Sequence, residues 1–225
     1  MIIVVSGTGT GVGKTHVAVA LVRALAARGP VVAWKPVESG VEDPAGPGED
    51  EAALAARSAV HVPSVRLRAP ISPHLAARRE GVRIDPAALH RRWLELASAW
   101  PAMVVELAGG LCSPLDDALD SAGWLAAAPP AIRAGMRLLL VAPDRLGVLH
   151  DAAAALHACA AHGLAARAIA LSAPATADAS TGTNAAELSA RTIAAGLSIV
   201  RVPRAPSAEL AAHPGIGELL AALAA

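Results

Sequence analysis

The sequence contains no phenylalanine and no tyrosine, and its four tryptophans are its only aromatic residues. Base stacking on aromatic side chains, on which many single-strand nucleic-acid binders rely, therefore has little material here. The formal net charge is zero, and no long run of lysine or arginine occurs. Because binding to a phosphate backbone needs several clustered cations, these absences argue against DNA or RNA as the main partner.

Cysteine is also sparse, with only Cys112 and Cys159 in 225 residues. Two cysteines do not make a disulfide framework in a chain of this length, so a reducing compartment is expected. The apolar run Ile2–Val5 is too short for a signal peptide, and no basic segment precedes it. No uncharged apolar run reaches the length needed to cross a bilayer. We therefore expect a cytoplasmic protein without a membrane segment.

Hydrophobic residues make up 54% of the chain and charged residues 17%, which predicts a packed globule. Short apolar runs predict buried strands at residues 2–5, 31–34, 103–107, 137–142, 166–171 and 198–202. Helical patterns alternate with them, at 14–27, 50–58, 85–100, 149–162 and 217–224. This alternation predicts one α/β domain over residues 1–225, with a mostly parallel sheet covered by helices on both faces. The segment 38–48, rich in glycine, proline and acids, is expected to be a mobile surface loop.

The strongest functional signal is the segment Gly7-Thr8-Gly9-Thr10-Gly11-Val12-Gly13-Lys14-Thr15, between the first strand and the first helix. A Gly-Lys-Thr ending in this context is typical of a P-loop, although one more residue than usual separates Gly7 from Gly13. The glycines allow backbone N–H groups to turn toward phosphate oxygens, and the helix N-terminus adds partial positive charge. Lys14 supplies a full charge, and the Thr15 hydroxyl can bind Mg²⁺. The segment therefore predicts a nucleoside triphosphate site.

Three charged residues are predicted to reach the same edge of the parallel sheet, where ligands bind. Lys35 follows the second strand and is predicted to face the phosphates, with a plain surface lysine as the alternative. Glu106 ends a buried strand, where a carboxylate needs a partner, and is predicted to bind the metal. Asp50 opens a helix and is predicted to bind the same metal as Glu106. The alternatives are that Asp50 is an ordinary N-cap, or that Glu49 or Glu51 binds the metal in its place.

Together these segments resemble the ATP-dependent dethiobiotin synthetase family, which has a P-loop NTPase fold. The family pattern includes the P-loop with its extra residue, Lys-Pro-Val-x-Ser-Gly, an Asp opening the next helix, Ser-Pro-His followed by Glu-Gly, and Val-Glu-Gly-Ala-Gly-Gly. The corresponding segments here are 7–15, 35–40, Asp50, 72–74 with 80–81, and 105–110, in the same order. The match extends over roughly residues 1–150.

The resemblance implies an enzyme that uses ATP and Mg²⁺ to convert 7,8-diaminononanoate and CO₂ or bicarbonate into dethiobiotin. A substrate amine captures CO₂ as a carbamate, ATP phosphorylates the carbamate, and the second amine closes the ring. Phosphoryl transfer needs charge neutralised around the transferred group, which suits catalytic roles for Lys14 and Lys35. The implied metal ligands are Thr15, Asp50 and Glu106. The resemblance also implies a homodimer in which the substrate carboxylate reaches the partner subunit.

The remaining implied site residues follow from the same correspondence. The ATP-binding residues are Gly11, Val12, Gly13, Lys14, Thr15, His16, Asp50, Glu106, Leu107, Ala108, Gly109, Ser172, Pro203, Arg204 and Ala205. The substrate-binding residues are Thr10, Ser39, Gly110, Leu146 and Gly147. The chain differs from the family at Leu107, which replaces a glycine, and at Ser172, which replaces an asparagine. It also has His150-Asp151 where the family has Asn-His.

Two other interpretations stand beside this one. A ParA/MinD-like ATPase switch shares the fold, but its P-loop carries a second lysine early in the motif, where this chain has Thr8 and Gly9. Such a switch also needs a basic patch or a cationic tail, and residues 217–225 contain no cation. The other alternative is a nucleotide-binding relative that has lost synthetase activity, given the differences from the family pattern.

Overall fold

The computed structural model describes residues 1–225 and contains a main sheet and a small sheet. The strands are β1 (Ile2–Gly7), β2 (Val31–Trp34), β3 (Val37–Ser39), β4 (Val65–Leu67), β5 (Ala102–Glu106), β6 (Met136–Pro143), β7 (Ala166–Ser172) and β8 (Ser198–Val202). The main sheet has six strands in the order β2-β5-β1-β6-β7-β8, and every neighbouring pair is parallel. The small sheet is the parallel pair of β3 and β4. The predicted parallel α/β sheet is therefore confirmed.

Ten α-helices connect and cover the strands, and several of them begin with proline. They are α1 (Lys14–Ala26), α2 (Glu49–Ala55), α3 (Pro73–Glu80), α4 (Pro86–Ala99), α5 (Ser121–Ala126), α6 (Pro130–Gly135), α7 (Val148–Ala161), α8 (Asn184–Ser189), α9 (Ser207–Ala211) and α10 (Pro214–Ala224), with a 3₁₀ turn at Thr192–Ala194. Proline suits a first helical position because the N–H that it lacks would have no partner there. None of the helices combines the length and the apolar character needed to cross a membrane.

The residues of β1 alternate between two buried hydrophobic clusters. Ile2 and Val4 belong to a cluster of 37 residues, which also contains Trp93 of α4. Ile3 and Val5 belong to a cluster of 25 residues, which also contains the apolar face of α1. Because successive side chains of a strand point to opposite faces, the two clusters lie on opposite sides of the sheet. Helices therefore cover both faces, as predicted.

The short elements are where the structure departs from expectation. Residues 37–39 form β3, and Glu38 is only 6% exposed, so the prediction of a surface loop from residue 38 was wrong at its start. The elements β4, α5, α6, α8 and α9 were not predicted from the sequence, and α10 begins at Pro214 rather than at residue 217. Elements of a few residues carry little periodicity, and tertiary contacts decide whether they form. The division into a single domain stays a prediction.

Candidate active site

The loop between β1 and α1 has a shape that depends on glycine. Gly13 is the N-cap of α1 with φ of 94°, a conformation that L side chains rarely adopt. A Cβ on Gly13 would also lie 2.5 Å from the hydroxyl oxygen of Ser172, so no side chain fits there. None of the backbone N–H groups of residues 9–16 donates a hydrogen bond to another backbone group. Free N–H groups at the start of a helix form an anion site, as the P-loop motif predicts.

Lys14 folds back over this loop. Its Nζ donates a hydrogen bond of 2.8 Å to the carbonyl oxygen of Gly9, and the residue is 7% exposed. Burial lowers the pKa of Lys14, although the Glu106 carboxylate counteracts part of this effect. A phosphate beside Nζ would favour the charged form of the lysine, so binding of an anion and protonation of Lys14 support each other.

Glu106 and Lys35 form the centre of the cleft. Glu106 ends β5 and is completely buried, and its Oε1 accepts hydrogen bonds of 2.8 Å from the Thr15 hydroxyl and from Lys35 Nζ. The same Nζ donates to Oδ2 of Asp50. Burial alone would lower the pKa of Lys35, but the carboxylates of Glu106 and Asp50 outweigh it and raise that pKa. Lys35 is therefore a buried cation between two acids, and the alternative of a plain surface lysine is wrong.

The donor set of this cluster fits a magnesium ion. Burial raises the pKa of Glu106, and the Oε2 atom of this carboxylate is buried without any hydrogen-bond partner. The Thr15 hydroxyl and the Asp50 carboxylate complete a set of hard oxygen donors, which Mg²⁺ prefers. No group of three or more His, Cys, Asp and Glu side chains is placed to hold a metal. Two carboxylates and a hydroxyl would suit Mg²⁺ together with phosphate oxygens and water, which are its usual further ligands at nucleotide sites.

The first turn of α2 presents Asp50 to the cleft. The N-cap of α2 is Gly48, and the Asp50 side chain bonds Lys35 instead of capping the helix, so the N-cap alternative is wrong. Glu49 is exposed, and Glu51 points away from the cleft toward Arg66. Of the three neighbouring acids that the sequence left open, Asp50 is the one that lines the cleft.

The cleft itself has a volume of about 580 Å³. It brings together most of the predicted phosphate, metal and substrate residues, namely Thr10, Gly11, Gly13, Lys14, Thr15, His16, Lys35, Ser39, Asp50, Glu106, Ala108 and Gly109. Residues that the sequence analysis did not assign complete the lining, namely Glu38, Pro70, Ile71, Ser72, Pro73 and Ser113. Ser113 also shapes the loop after β5, because its hydroxyl oxygen accepts a hydrogen bond of 2.8 Å from the Gly110 N–H.

A second cavity of about 550 Å³ adjoins the cleft and shares Gly13 and His16 with it. Its other lining residues are Ser172, Ala173, Arg204, Ala205 and Pro206, which include three of the residues predicted to bind ATP. Pro203 does not line this cavity, but its carbonyl oxygen lies 3.4 Å from Nε2 of His16. The two cavities thus meet at the start of α1.

Besides Pro203, five predicted residues line neither cavity. Val12 and Leu107 are buried in the two hydrophobic clusters, so Leu107 adds its bulk to the core and not to the nucleotide cleft. Gly110 packs behind the P-loop, where a Cβ would lie 3.2 Å from the Gly9 nitrogen. Leu146 and Gly147 lie before α7, away from both cavities.

The segment before α7 is partly engaged already. The Leu146 N–H donates a hydrogen bond of 2.8 Å to Oδ2 of Asp178, whereas its side chain is 78% exposed. The hydrogen bonds that Asp178 accepts from Leu146 and Ser180 lower the pKa of its carboxyl group. The Gly147 N–H has no acceptor within the chain. The internal carboxylate of Asp178 therefore already occupies one of the two N–H groups at the predicted substrate-binding residues Leu146 and Gly147.

One compositional signal could have strengthened the site prediction. Lys14 and Lys35 are the only two lysines among 19 lysine and arginine residues. Both are buried in the same cleft, and all the other cations are arginine. A lysine is a compact point charge that arginine does not replace easily in a closed site, so the presence of lysine at these two buried positions alone indicates function.

Comparison with known proteins agrees with the geometry. The chain matches the family described as AAA domain over residues 2–209. It is 40% identical to the ATP-dependent dethiobiotin synthetase of Nitrosospira multiformis over 158 residues, which are 68% of this chain and 67% of the relative. It is 37% identical to the ATP-dependent dethiobiotin synthetase of Ralstonia nicotianae over an alignment of 227 positions, which covers 96% of each chain.

Solved structures support the fold alone. A ParA family ATPase from Chlorobium tepidum has a TM-score of 0.55 and 16% identity, covering 99% of this chain and 93% of its own. The MinD cell division protein of Aquifex aeolicus has a TM-score of 0.52 and 14% identity, covering 93% of this chain and 85% of its own. These likenesses confirm the P-loop α/β fold, whereas the sequence relatives identify the family. The chain belongs to the family of ATP-dependent dethiobiotin synthetases, which are ligases.

Proposed function

We propose that this chain forms the cyclic urea of dethiobiotin from 7,8-diaminononanoate, CO₂ and ATP, through a phosphorylated carbamate. The observation that carries the proposal is the cluster of Lys14, Lys35, Asp50 and Glu106 in one cleft beside a P-loop. Membership of the dethiobiotin synthetase family supports the substrate class.

The nucleotide would extend from the cleft into the adjoining cavity. The free N–H groups of residues 9–16 offer a binding surface for the phosphates. Gly13 and His16 line both cavities, which suits one ligand that reaches from one to the other. The base would then lie beside Ser172, Arg204 and Ala205, with Pro203 behind His16.

The charges of the cleft suit phosphoryl transfer to a carbamate. A carbamate oxygen attacks the γ-phosphorus, ADP leaves, and the second amine then displaces phosphate from the carbonyl carbon to close the ring. The raised pKa of Lys35, caused by Glu106 and Asp50, keeps this side chain cationic at neutral pH, so it would stabilise transferred charge and not act as a base. Mg²⁺, when bound, would neutralise further phosphate charge. Thr15, Asp50 and Glu106 would hold it.

The diamine would lie in the part of the cleft beside Thr10 and Ser39. Thr10 and Ser39 line that region and offer hydroxyl groups to the carbamate and the amines, with Gly110 supporting the loop behind them. For the carboxylate we propose the segment at Leu146 and Gly147 of a second subunit, since the Gly147 N–H has no acceptor within the chain. A homodimer is therefore part of the proposal. If light scattering shows a monomer, this part of the proposal is wrong. The cytoplasmic location stays a prediction.

The test is phosphate release from MgATP and bicarbonate, with and without 7,8-diaminononanoate, combined with mass spectrometry of the product. We expect diamine-dependent release that matches the dethiobiotin formed, and loss of both in Lys35→Ala. Arg92→Ala is the matched control, because it removes an exposed cation whose only ion pair is with Glu95 on the surface. This control should keep wild-type turnover.

The other outcomes separate the alternatives. Phosphate release that ignores the diamine would reject the synthetase and favour an ATPase switch, for which only the fold argues at present. Nucleotide binding without any turnover would favour a relative that has lost activity. Equal turnover in wild type and Lys35→Ala would remove Lys35 from the chemistry.

A further inference from the structure

Glu38, which the sequence analysis left in a surface loop, lies beneath the first turn of α2. It is 6% exposed, and its two carboxylate oxygens each accept a hydrogen bond of 2.9 Å, from the N–H of Asp50 and from the N–H of Glu51. A helix leaves its first N–H groups without partners, and a carboxylate there also interacts favourably with the helix dipole. Glu38 therefore satisfies two donors of α2 from outside the helix.

The chain is shaped to admit this carboxylate. A Cβ on Gly48, the N-cap of α2, would collide with the carboxylate of Glu38. Gly48 is buried but offers no side chain to cap the helix. The distant Glu38 takes over the role that an N-cap side chain usually has.

A second contact holds the same turn through a side chain. The carboxylate of Glu51 accepts hydrogen bonds of 2.9 Å and 2.6 Å from the guanidinium of Arg66, and one of 3.0 Å from the Ser64 N–H. Arg66 is the cross-strand partner of Glu38 in the small sheet of β3 and β4. The small sheet therefore holds the first turn of α2 in two ways. Glu38 binds the backbone N–H groups of Asp50 and Glu51, and Arg66 binds the side chain of Glu51.

Asp50 lacks such support of its own. Its side chain is 36% exposed, and its contacts are with Lys35 and Thr15, which are themselves part of the proposed phosphate and metal site. The turn that Glu38 and Arg66 hold therefore fixes the backbone from which the Asp50 carboxylate reaches this site.

We propose that Glu38 is a positioning residue for the metal site: by binding the N–H groups of Asp50 and Glu51, it holds the Asp50 carboxylate where Mg²⁺ binds. The proposal rests on the proposed function, in which Asp50 is a ligand of Mg²⁺. Residues that orient metal ligands commonly change metal affinity about 10–100-fold when they are replaced. We expect a loss in that range for Glu38→Gln, whose amide offers one acceptor and turns an NH₂ group toward the other N–H.

The experiment measures metal affinity without turnover. Calorimetric titration of the whole protein with β,γ-imido-ATP, at a series of free Mg²⁺ concentrations, gives the concentration at which Mg²⁺ produces half of its gain in nucleotide affinity. We expect this concentration to rise 10–100-fold in Glu38→Gln. Affinity for the nucleotide without Mg²⁺ should stay near that of wild type, which also shows that the P-loop is folded.

Glu80→Gln provides a control with the same pattern of hydrogen bonds. The carboxylate of Glu80 also accepts two backbone N–H groups, from Arg68 at 2.9 Å and Ala69 at 2.8 Å, but it does not contact α2. This variant should leave the Mg²⁺ requirement unchanged. An equal shift in Glu80→Gln would show a general structural effect and overturn the proposal.

Asp50→Asn separates this inference from the proposed function. If Glu38 acts through Asp50, Glu38→Gln adds nothing to the shift that Asp50→Asn already causes, whereas independent effects would add. A shift in Asp50→Asn with none in Glu38→Gln, or additive shifts, would overturn the positioning role and leave the metal assignment intact. No shift in Asp50→Asn would instead overturn Asp50 as a ligand and the inference with it.

Discussion

The cleft has two halves, the P-loop and an acidic half that contains Lys35, Asp50 and Glu106. The two halves offer different parts of the chain to a ligand. The P-loop offers the backbone N–H groups of consecutive residues, and glycines such as Gly13 give it its shape. The acidic half offers side chains from residues 35, 50 and 106, which belong to segments far apart in the sequence. The first half therefore depends on local backbone conformation, and the second depends on charge balance among buried groups.

This difference shows how each half tolerates change. A backbone site has no side chain to lose, so only a residue that disturbs its dihedral angles damages it. A buried ionic site fails when one partner is removed, because the remaining charge stays in a low-dielectric environment without compensation. Substitutions at Lys35, Glu51 and Gly13 test this contrast.

Removing the central cation should have the largest effect. Lys35→Met leaves the completely buried Glu106 without its cation, and we expect the free energy of unfolding to fall by about 4 kcal/mol at pH 8. Burial raises the pKa of Glu106, so this side chain takes up a proton in the folded protein as the pH falls. The stability lost in Lys35→Met should therefore be smaller at pH 5 than at pH 8. Urea denaturation at both pH values measures this. A deficit independent of pH would contradict the role of Glu106.

Removing the Glu51 carboxylate, which joins α2 to Arg66, should have an intermediate effect on stability, and this effect should depend on pH in the acid range. Burial alone would raise the pKa of Glu51, but hydrogen bonds from Arg66, the Ser64 N–H and His61 outweigh it and lower this pKa from 4.5 to about 2. A depressed pKa gives stability that is fully present above pH 4.5 and is lost as the pH falls toward 2, about 3 kcal/mol in total.

Glu51→Gln should therefore unfold more easily at neutral pH and lose less stability on acidification than the wild type. The exposed neighbour Glu49 provides the control, since Glu49→Gln should stay within about 0.5 kcal/mol of wild type. Urea denaturation between pH 3 and pH 7 compares the three proteins. Parallel pH profiles for wild type and Glu51→Gln would contradict the assignment.

A change in the P-loop should have the smallest effect on stability and act on binding instead. Gly13→Ala requires φ of 94° from a residue with a Cβ and pushes against Ser172, which we expect to cost about 2 kcal/mol. The displaced N–H groups should weaken ATP binding by at least about tenfold. Gly29→Ala, where a Cβ meets nothing within 4 Å, is the control and should keep normal affinity. Unchanged ATP affinity in Gly13→Ala would remove the backbone basis of the site.

Much of the fold could be predicted because its signals are local. The six strands of the main sheet and the helices α1, α4 and α7 show their patterns within a few turns of chain, and all were predicted within a few residues. The P-loop could be predicted for the same reason. Its glycines, lysine and threonine act through the conformation of one short segment, and that conformation follows from the residues themselves.

The rest of the site depends on contacts between distant segments. Sequence alone predicted Asp50 but left Glu49 and Glu51 as alternatives, because which acid faces the cleft depends on where α2 lies. It missed Glu38 because a glutamate beside a glycine- and proline-rich segment resembles a surface residue until the turn of α2 covers it. Leu107 was assigned to the nucleotide by its place in a motif, whereas its side chain turns into the core.

By itself, the sequence determined a P-loop, a parallel α/β sheet and a family, since each depends on short segments whose residues set their own backbone geometry. Tertiary structure decided which charges meet. Lys35, Asp50 and Glu106 come into contact only after β2, β5 and α2 have packed together. Burial then sets their pKa values and leaves one oxygen of Glu106 free for a metal, since the energy of a charge depends on all the groups and solvent around it.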